Sequence, residues 1–146
     1  MQRTENYMVM EFLSRSSNES FARTAVATFA AQLDPTLDEI GDIKTAVSEA
    51  VTNSIVHGYR DKLGIITLTV RLYAPATAEI IISDKGCGIE NVRQAREPMF
   101  TTGGADRSGM GFTIMESFMD GMTVRSKPGK GTTVILQKVL EARQEV

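Results

Sequence analysis

The chain has 146 residues, 42% hydrophobic and 23% charged, and sixteen Lys plus Arg against eighteen Asp plus Glu leave a formal charge of −2. A chain of this length buries roughly 68–70% of its unfolded surface as one domain and needs no disulfide or structural metal to fold. The charge balance argues against a non-specific nucleic-acid binder and a polybasic anchor, while a single Cys (Cys87) and a single His (His57) exclude an internal disulfide and multi-histidine metal chemistry. No apolar run approaches the ~18 residues of a membrane span, and the opening MQRTENYMVM lacks a signal-peptide core, so the expected compartment is the cytoplasm.

In chain order, residues 7–13 carry few breakers and read as a strand. Ser16 stands three residues before Glu19, the spacing of a capping box. Phe21, Ala22, Ala25, Val26, Phe29 and Ala30 follow at helical spacing, so an amphipathic helix is expected to run to about Leu33, before Asp34-Pro35. Thr36 and Glu39 form a second capping box. Behind it Ile40, Ile43, Val47, Ala50, Val51 and Ser54 trace one face of a longer helix, with Gly58 placed to stop it. Residues 65–73 and 77–83 are β-branched and apolar around Ala74-Pro75-Ala76, a hairpin pattern. A short helix is expected near 90–95, another over 112–118, and a second strand pair over 122–126 and 132–140; the tail 141–146 is expected to fray. Helices covering one face of a mixed, mostly antiparallel sheet give an α+β, two-layer α/β sandwich.

Four polar or Gly-rich clusters interrupt this patterning. Glu49 and Asn53 lie four residues apart and share a helix face; a carboxylate there can act as a base, and an amide oxygen can ligate a hard cation. Asp84 closes a strand before Gly86 and Gly88, so its carboxylate can accept from an exocyclic amine while the glycines let backbone approach a flat ligand. The run from Gly103 to Gly111 opens onto a helix, a cradle of amide donors suited to phosphate, with Arg107 adding charge. Residues 129–133 read as a hairpin turn. Taken singly, each cluster has an ordinary structural explanation as a solvated helix face, an Asp-Gly turn or a loop.

In this order the four resemble the N, G1, G2 and G3 boxes of the GHKL ATPase family, which shares the Bergerat ATP-binding fold. A closer resemblance, to the bacterial anti-sigma factor kinases of sporulation, is carried by the stretches 18–23, 31–36, 48–53, 100–102 and 107–116 and covers nearly the whole chain as one domain. The resemblance implies ATP or ADP with Mg²⁺ as cofactors. It implies Asn53 as the Mg²⁺ ligand, Glu49 as the general base toward a serine hydroxyl, and Asp84 as the adenine reader. Gly86 and Gly88 would shape that wall, and Thr133 would support the adenine contact. Gly109, Met110 and Gly111 would bind phosphate, with Thr101 and Thr102 also at the nucleotide and Arg107 reaching its terminal phosphate. About residues 96–108 would form a lid, which, like the 59–64 turn, is shorter than expected for these relatives.

The implied activity is phosphoryl transfer from ATP to a serine of an anti-anti-sigma factor, together with capture of a sigma factor of the sigma F type. A homodimer formed through the sheet side and N-terminal region is implied, and Arg23 is the expected partner contact. No direct nucleic-acid or membrane contact is expected. Two alternatives stand beside this reading: a general stress-response kinase on the same scaffold, and a nucleotide-gated sigma-binding module without significant kinase activity. His57 falls inside the N box and reads as structural or nucleotide-neighbouring, and Cys87 as an inert thiol.

Overall fold

The computed structural model describes residues 4–60, 62–97 and 111–141. Alternation of apolar and polar residues dictates the sheet. In β2 (Ile65–Tyr73) it buries Ile66, Leu68, Val70 and Leu72, and in β3 (Thr77–Asp84) it buries Ala78, Ile80, Ile82 and finally Asp84. With β1 (Thr4–Leu13), β4 (Gly121–Lys127) and β5 (Gly131–Val139) they form one sheet in the order β1-β2-β3-β5-β4. Every neighbouring pair is antiparallel, so the expected parallel component of a mixed sheet is absent among the described strands. The register aligns Phe12, Ile66, Asp84, Thr132 and Ser126 across all five strands, bringing the loops next to them to one end of the sheet.

Helices α1 (Ser17–Ala30), α2 (Leu37–Asn53) and α4 (Gly111–Phe118) supply the rest of the core; α3 is the short Val92–Ala95. The periodic face of α2 is buried as its spacing demands: Ile43, Val47, Ala50 and Val51 are at most 1% exposed, worth roughly 1.5–3 kcal/mol for each larger side chain. Two details of the helices depart from expectation. The Thr36–Glu39 capping box forms in full, but Ser16 has helical backbone angles and caps nothing. Its intended partner Glu19 instead accepts from Arg23 one turn on and from the Ser48 hydroxyl of α2. Phe21, read as part of the apolar face, is 60% exposed, because Ala22, Val26 and Ala30 make the contact with the core.

Helix α2 also does not stop at Gly58 by a glycine cap. It passes into a π-helical turn, Ser54–Tyr59, and ends at Arg60, whose φ is +58°. Such insertions commonly mark functional sites, and this one delivers Ser54, His57 and Gly58 to the end of β3. Residues 98–108 of the expected lid and the tail beyond 141 lie outside the described residues; Arg96, at the start of the lid, is described and pairs with Glu116 of α4.

Candidate functional site

The π-turn, the loop after β3, the start of α4 and the start of β5 enclose a cavity of about 420 Å³, within the range of small-molecule sites. Asp84 stands at its floor and is 7% exposed. A carboxylate taken out of water needs donors, and Asp84 has three. Ser54 Oγ donates to its Oδ2 at 2.8 Å, and the Gly86 N–H (2.9 Å) and Thr132 N–H (3.3 Å) donate to Oδ1. The side chain is thus fixed from the helix side, the loop side and the neighbouring strand.

Two glycines are needed for this closure. A Cβ on Gly86 would strike the Gly58 carbonyl, and Gly88 combines φ +75° with a position against the Lys127 carbonyl. Only the absence of a side chain lets the loop pass between the π-turn and the β4–β5 hairpin. The N–H groups of Cys87 and Gly129 then stitch it to both, donating to Gly58 O and Cys87 O at 2.9 and 2.7 Å. Cys87 lines the cavity with its thiol directed to the His57 carbonyl, and His57 lines it as well.

Asn53, the last residue of α2, lines the cavity opposite the loop and faces Gly111. A Cβ at Gly111 would lie 3.0 Å from Asn53 Nδ2 and 3.1 Å from Oδ1, so the glycine leaves room around the amide. Glu49 is one turn earlier on α2, half-buried and outside the cavity lining, with no hydrogen-bond or ion-pair partner among the described residues. Among the described residues no cluster of three or more His, Cys, Asp and Glu gathers. The Asn53 amide oxygen is one candidate ligand in the cavity for a hard cation. Thr101, Thr102, Arg107, Gly109 and Met110 lie outside the described residues.

Thr133 is not where the resemblance implied. Strand alternation turns it to the other face of the sheet, where its hydroxyl pairs with Ser83 at 2.8 Å. Thr132 takes the place beside Asp84: its N–H bonds the carboxylate, it lines the cavity, and its hydroxyl pairs with Ser126. Sequence reasoning also missed Ser54 as a site residue, although a serine on the buried stripe of a helix is itself a signal that a polar partner waits there. Arg23 is away from the cavity on α1, its guanidinium held by both carboxylate oxygens of Glu19 at 3.0 and 3.2 Å.

Residues 13–138 match the histidine kinase-like ATPase domain. The anti-sigma F factor of Thermoanaerobacter sp. (strain X514) is 57% identical over 137 residues, covering 92% of this chain and 94% of that protein. The chain belongs to the anti-sigma F factors of the histidine kinase-like ATPase family. The anti-sigma F factor of Clostridium acetobutylicum is 53% identical over 92% of this chain and 94% of its own length. Among solved structures, the RsbU and RsbW domains of a Mycobacterium tuberculosis protein superpose with TM-score 0.69 at 19% identity, over 97% of this chain and 35% of that longer one. At that identity the likeness speaks for the fold. Membership in the family implies a nucleotide-binding domain of the kinase type. No described helix is long and apolar enough to cross a membrane.

Proposed function

We propose that this protein is an ATP-dependent protein serine kinase that also captures a sigma factor of the sigma F type, acting in the cytoplasm as a homodimer. Its phosphoacceptor is a serine of an anti-anti-sigma factor. The observation that carries the reading is one cavity with a buried, triply hydrogen-bonded Asp84 on one side and the Asn53 amide on the other. Bound ATP supplies the phosphoryl group, and Mg²⁺ the charge neutralisation that phosphoryl transfer chiefly needs.

The chain's own residues do the rest. Asp84, locked by Ser54, Gly86 and Thr132, offers a fixed acceptor to an amine on the base, and the surrounding wall of Ile89, Ala95, Phe112 and Val134 excludes water from that edge. The Asn53 amide oxygen is a ligand of the hardness Mg²⁺ prefers. Glu49, on the same helix face, takes the proton of the incoming serine hydroxyl. Arg107, with Thr101, Thr102, Gly109, Met110 and Gly111, holds the phosphates. The Glu19–Arg23 pair presents a guanidinium on α1 to a protein partner. The helix-free sheet face, with Tyr7, Val9 and Val139 more than half exposed, supports dimerisation on that side.

The deciding experiment is incubation with labelled ATP and the anti-anti-sigma factor of the same genome, followed by identification of the labelled residue. Label on a serine is expected. Nucleotide bound with no label transferred would leave a nucleotide-gated binding module instead.

A further inference from the structure

A net charge of −2 conceals a segregated surface. The antiparallel register collects at one end of the sheet the loops after β1, before β2, after β3 and between β4 and β5. These loops carry Arg15, Arg60, Lys62, Lys85, Lys127 and Lys130, all exposed, and none is ion-paired among the described residues. Their carboxylates are Glu90 and, by sequence, Asp61. The opposite end carries Glu5, Asp120 and Glu141, and its cations Arg71 and Lys138 are ion-paired, with Glu79 and Asp42. Five strands at a spacing of about 4.8 Å make the cationic rim roughly 19 Å wide.

At the β1–β2 corner of this rim lie three exposed aliphatic side chains: Leu13 (44%), Leu63 (55%) and Ile65 (53%). Leu13 and Ile65 are cross-strand partners, the Ser14 and Gly64 backbones bond beyond them, and Arg15 turns back to donate its N–H to the Leu13 carbonyl. Tyr59 fixes the adjoining loops. Its ring packs on Gly64, and its hydroxyl accepts from the Lys85 N–H at 2.7 Å and donates to the Ile65 carbonyl. Beside this pin is a cleft of about 470 Å³ lined by Tyr59, Arg60, Lys62 and Lys85 with backbone of Gly58, Gly86 and Cys87, and no carboxylate among the described lining.

We propose that this corner is a docking site for an acidic, amphipathic segment of a partner protein. Its apolar side chains would cover Leu13, Leu63 and Ile65, and its carboxylates would meet Lys62, Lys85 and Arg15. Charge complementarity selects the occupant. Nucleic acid needs cations and stacking or groove-reading groups but has no use for three exposed aliphatics, and the whole-chain charge repels it. A second copy would set like charges against each other across a two-fold axis. The dimer face proposed at Tyr7 and Val9 begins four residues up the strand from Leu13, roughly 13 Å away.

The test is fluorescence anisotropy with a labelled amphipathic peptide of Glu, Asp and Leu, a Glu-Gly-Ser peptide of equal charge, and single-stranded oligothymidylate of equal charge. The amphipathic peptide is expected to bind tightest, more weakly as salt rises. Lys62→Gln with Lys85→Gln should weaken it by about tenfold or more, and Leu63→Ser by a similar factor with the salt dependence kept. None of these residues lines the nucleotide cavity, so unchanged affinity for a non-hydrolysable ATP analogue reports that each variant is folded and separates this proposal from the kinase reading. Binding unaffected by the charge variants overturns the proposal, as does oligothymidylate binding as tightly as the peptide. A dimer that Leu63→Ser dissociates in sedimentation would assign the corner to self-contact and overturn it equally.

Discussion

The two sides of the nucleotide cavity are built on opposite principles. On the β3 side, Asp84 has both oxygens occupied before any ligand arrives, by donors from three different elements. On the α2 side, the Asn53 and Glu49 side chains make no hydrogen bond among the described residues, and Gly111 leaves room against the Asn53 amide. In the proposed function, fixing the recognition group in advance removes its ordering cost from binding, so selectivity for the base would be built into the fold. In the same reading, uncommitted side chains keep their lone pairs for the cation and the hydroxyl that would arrive with the substrates. On that reading the difference teaches that recognition is preorganised and chemistry is assembled on demand.

The sharpest way to break this contrast is Glu49→Gln. If Glu49 is the base, phosphorylation falls by about 10²–10⁴-fold, the usual worth of a positioned general base, while nucleotide affinity measured by calorimetry stays unchanged. A variant that phosphorylates at the normal rate removes Glu49 from the chemistry. Asp84→Asn should act in the opposite sense. It replaces the charged acceptor offered to the base by a neutral amide, and loss of a hydrogen bond to a charged group costs about 1.5–3 kcal/mol, some 10–100-fold in nucleotide affinity. Loss of affinity in Glu49→Gln, or its retention in Asp84→Asn, would show that the two sides are not specialised as described.

A smaller effect sharpens the recognition side. Gly88→Ala forces a side chain at φ +75° against the Lys127 carbonyl, and the backbone strain alone is about 1–2 kcal/mol. Denaturant unfolding should report at least that loss, with nucleotide affinity falling as the loop moves from Asp84. An unchanged midpoint would mean that the hairpin yields freely and the wall is not rigid.

The strand alternation and the spacing of α2 were readable because burial follows periodicity: Ile66, Leu68 and Val70, or Ile43, Val47 and Ala50, could hardly face elsewhere. The Asp84, Gly86 and Gly88 cluster was readable because the turn demands those residue types. What was not readable depended on one residue of phase or on a tertiary competitor. Thr132 and Thr133 are chemically identical in sequence, and only the register with β3 decides which one meets Asp84. The π-turn is equally hidden, since Ser54–Tyr59 continues the helical pattern while adding the extra residue that aims Ser54 and Gly58 at β3.

The two capping boxes give the finest version of the same lesson, and the smallest predicted effect. Thr36→Ala should cost about 1 kcal/mol in urea unfolding, whereas Ser16→Ala should cost nothing measurable, because Glu19 serves Arg23 and Ser48 instead of a cap. Glu39 adds a pH signature. Burial pushes its carboxyl up, but the N–H groups of Thr36 and Glu141, the Thr36 hydroxyl and the charge of Lys138 outweigh that and hold it below the ordinary 4.5. A depressed folded value means the stabilisation is complete above the ordinary value and is lost as pH falls through the folded one. The stability difference between the wild-type chain and Glu39→Gln should therefore be constant near neutrality and shrink on acidification. Glu19→Gln should loosen the network that ties α1 to the helix carrying Glu49 and weaken capture of the protein partner in a pull-down, whereas Glu39→Gln should leave that capture unchanged.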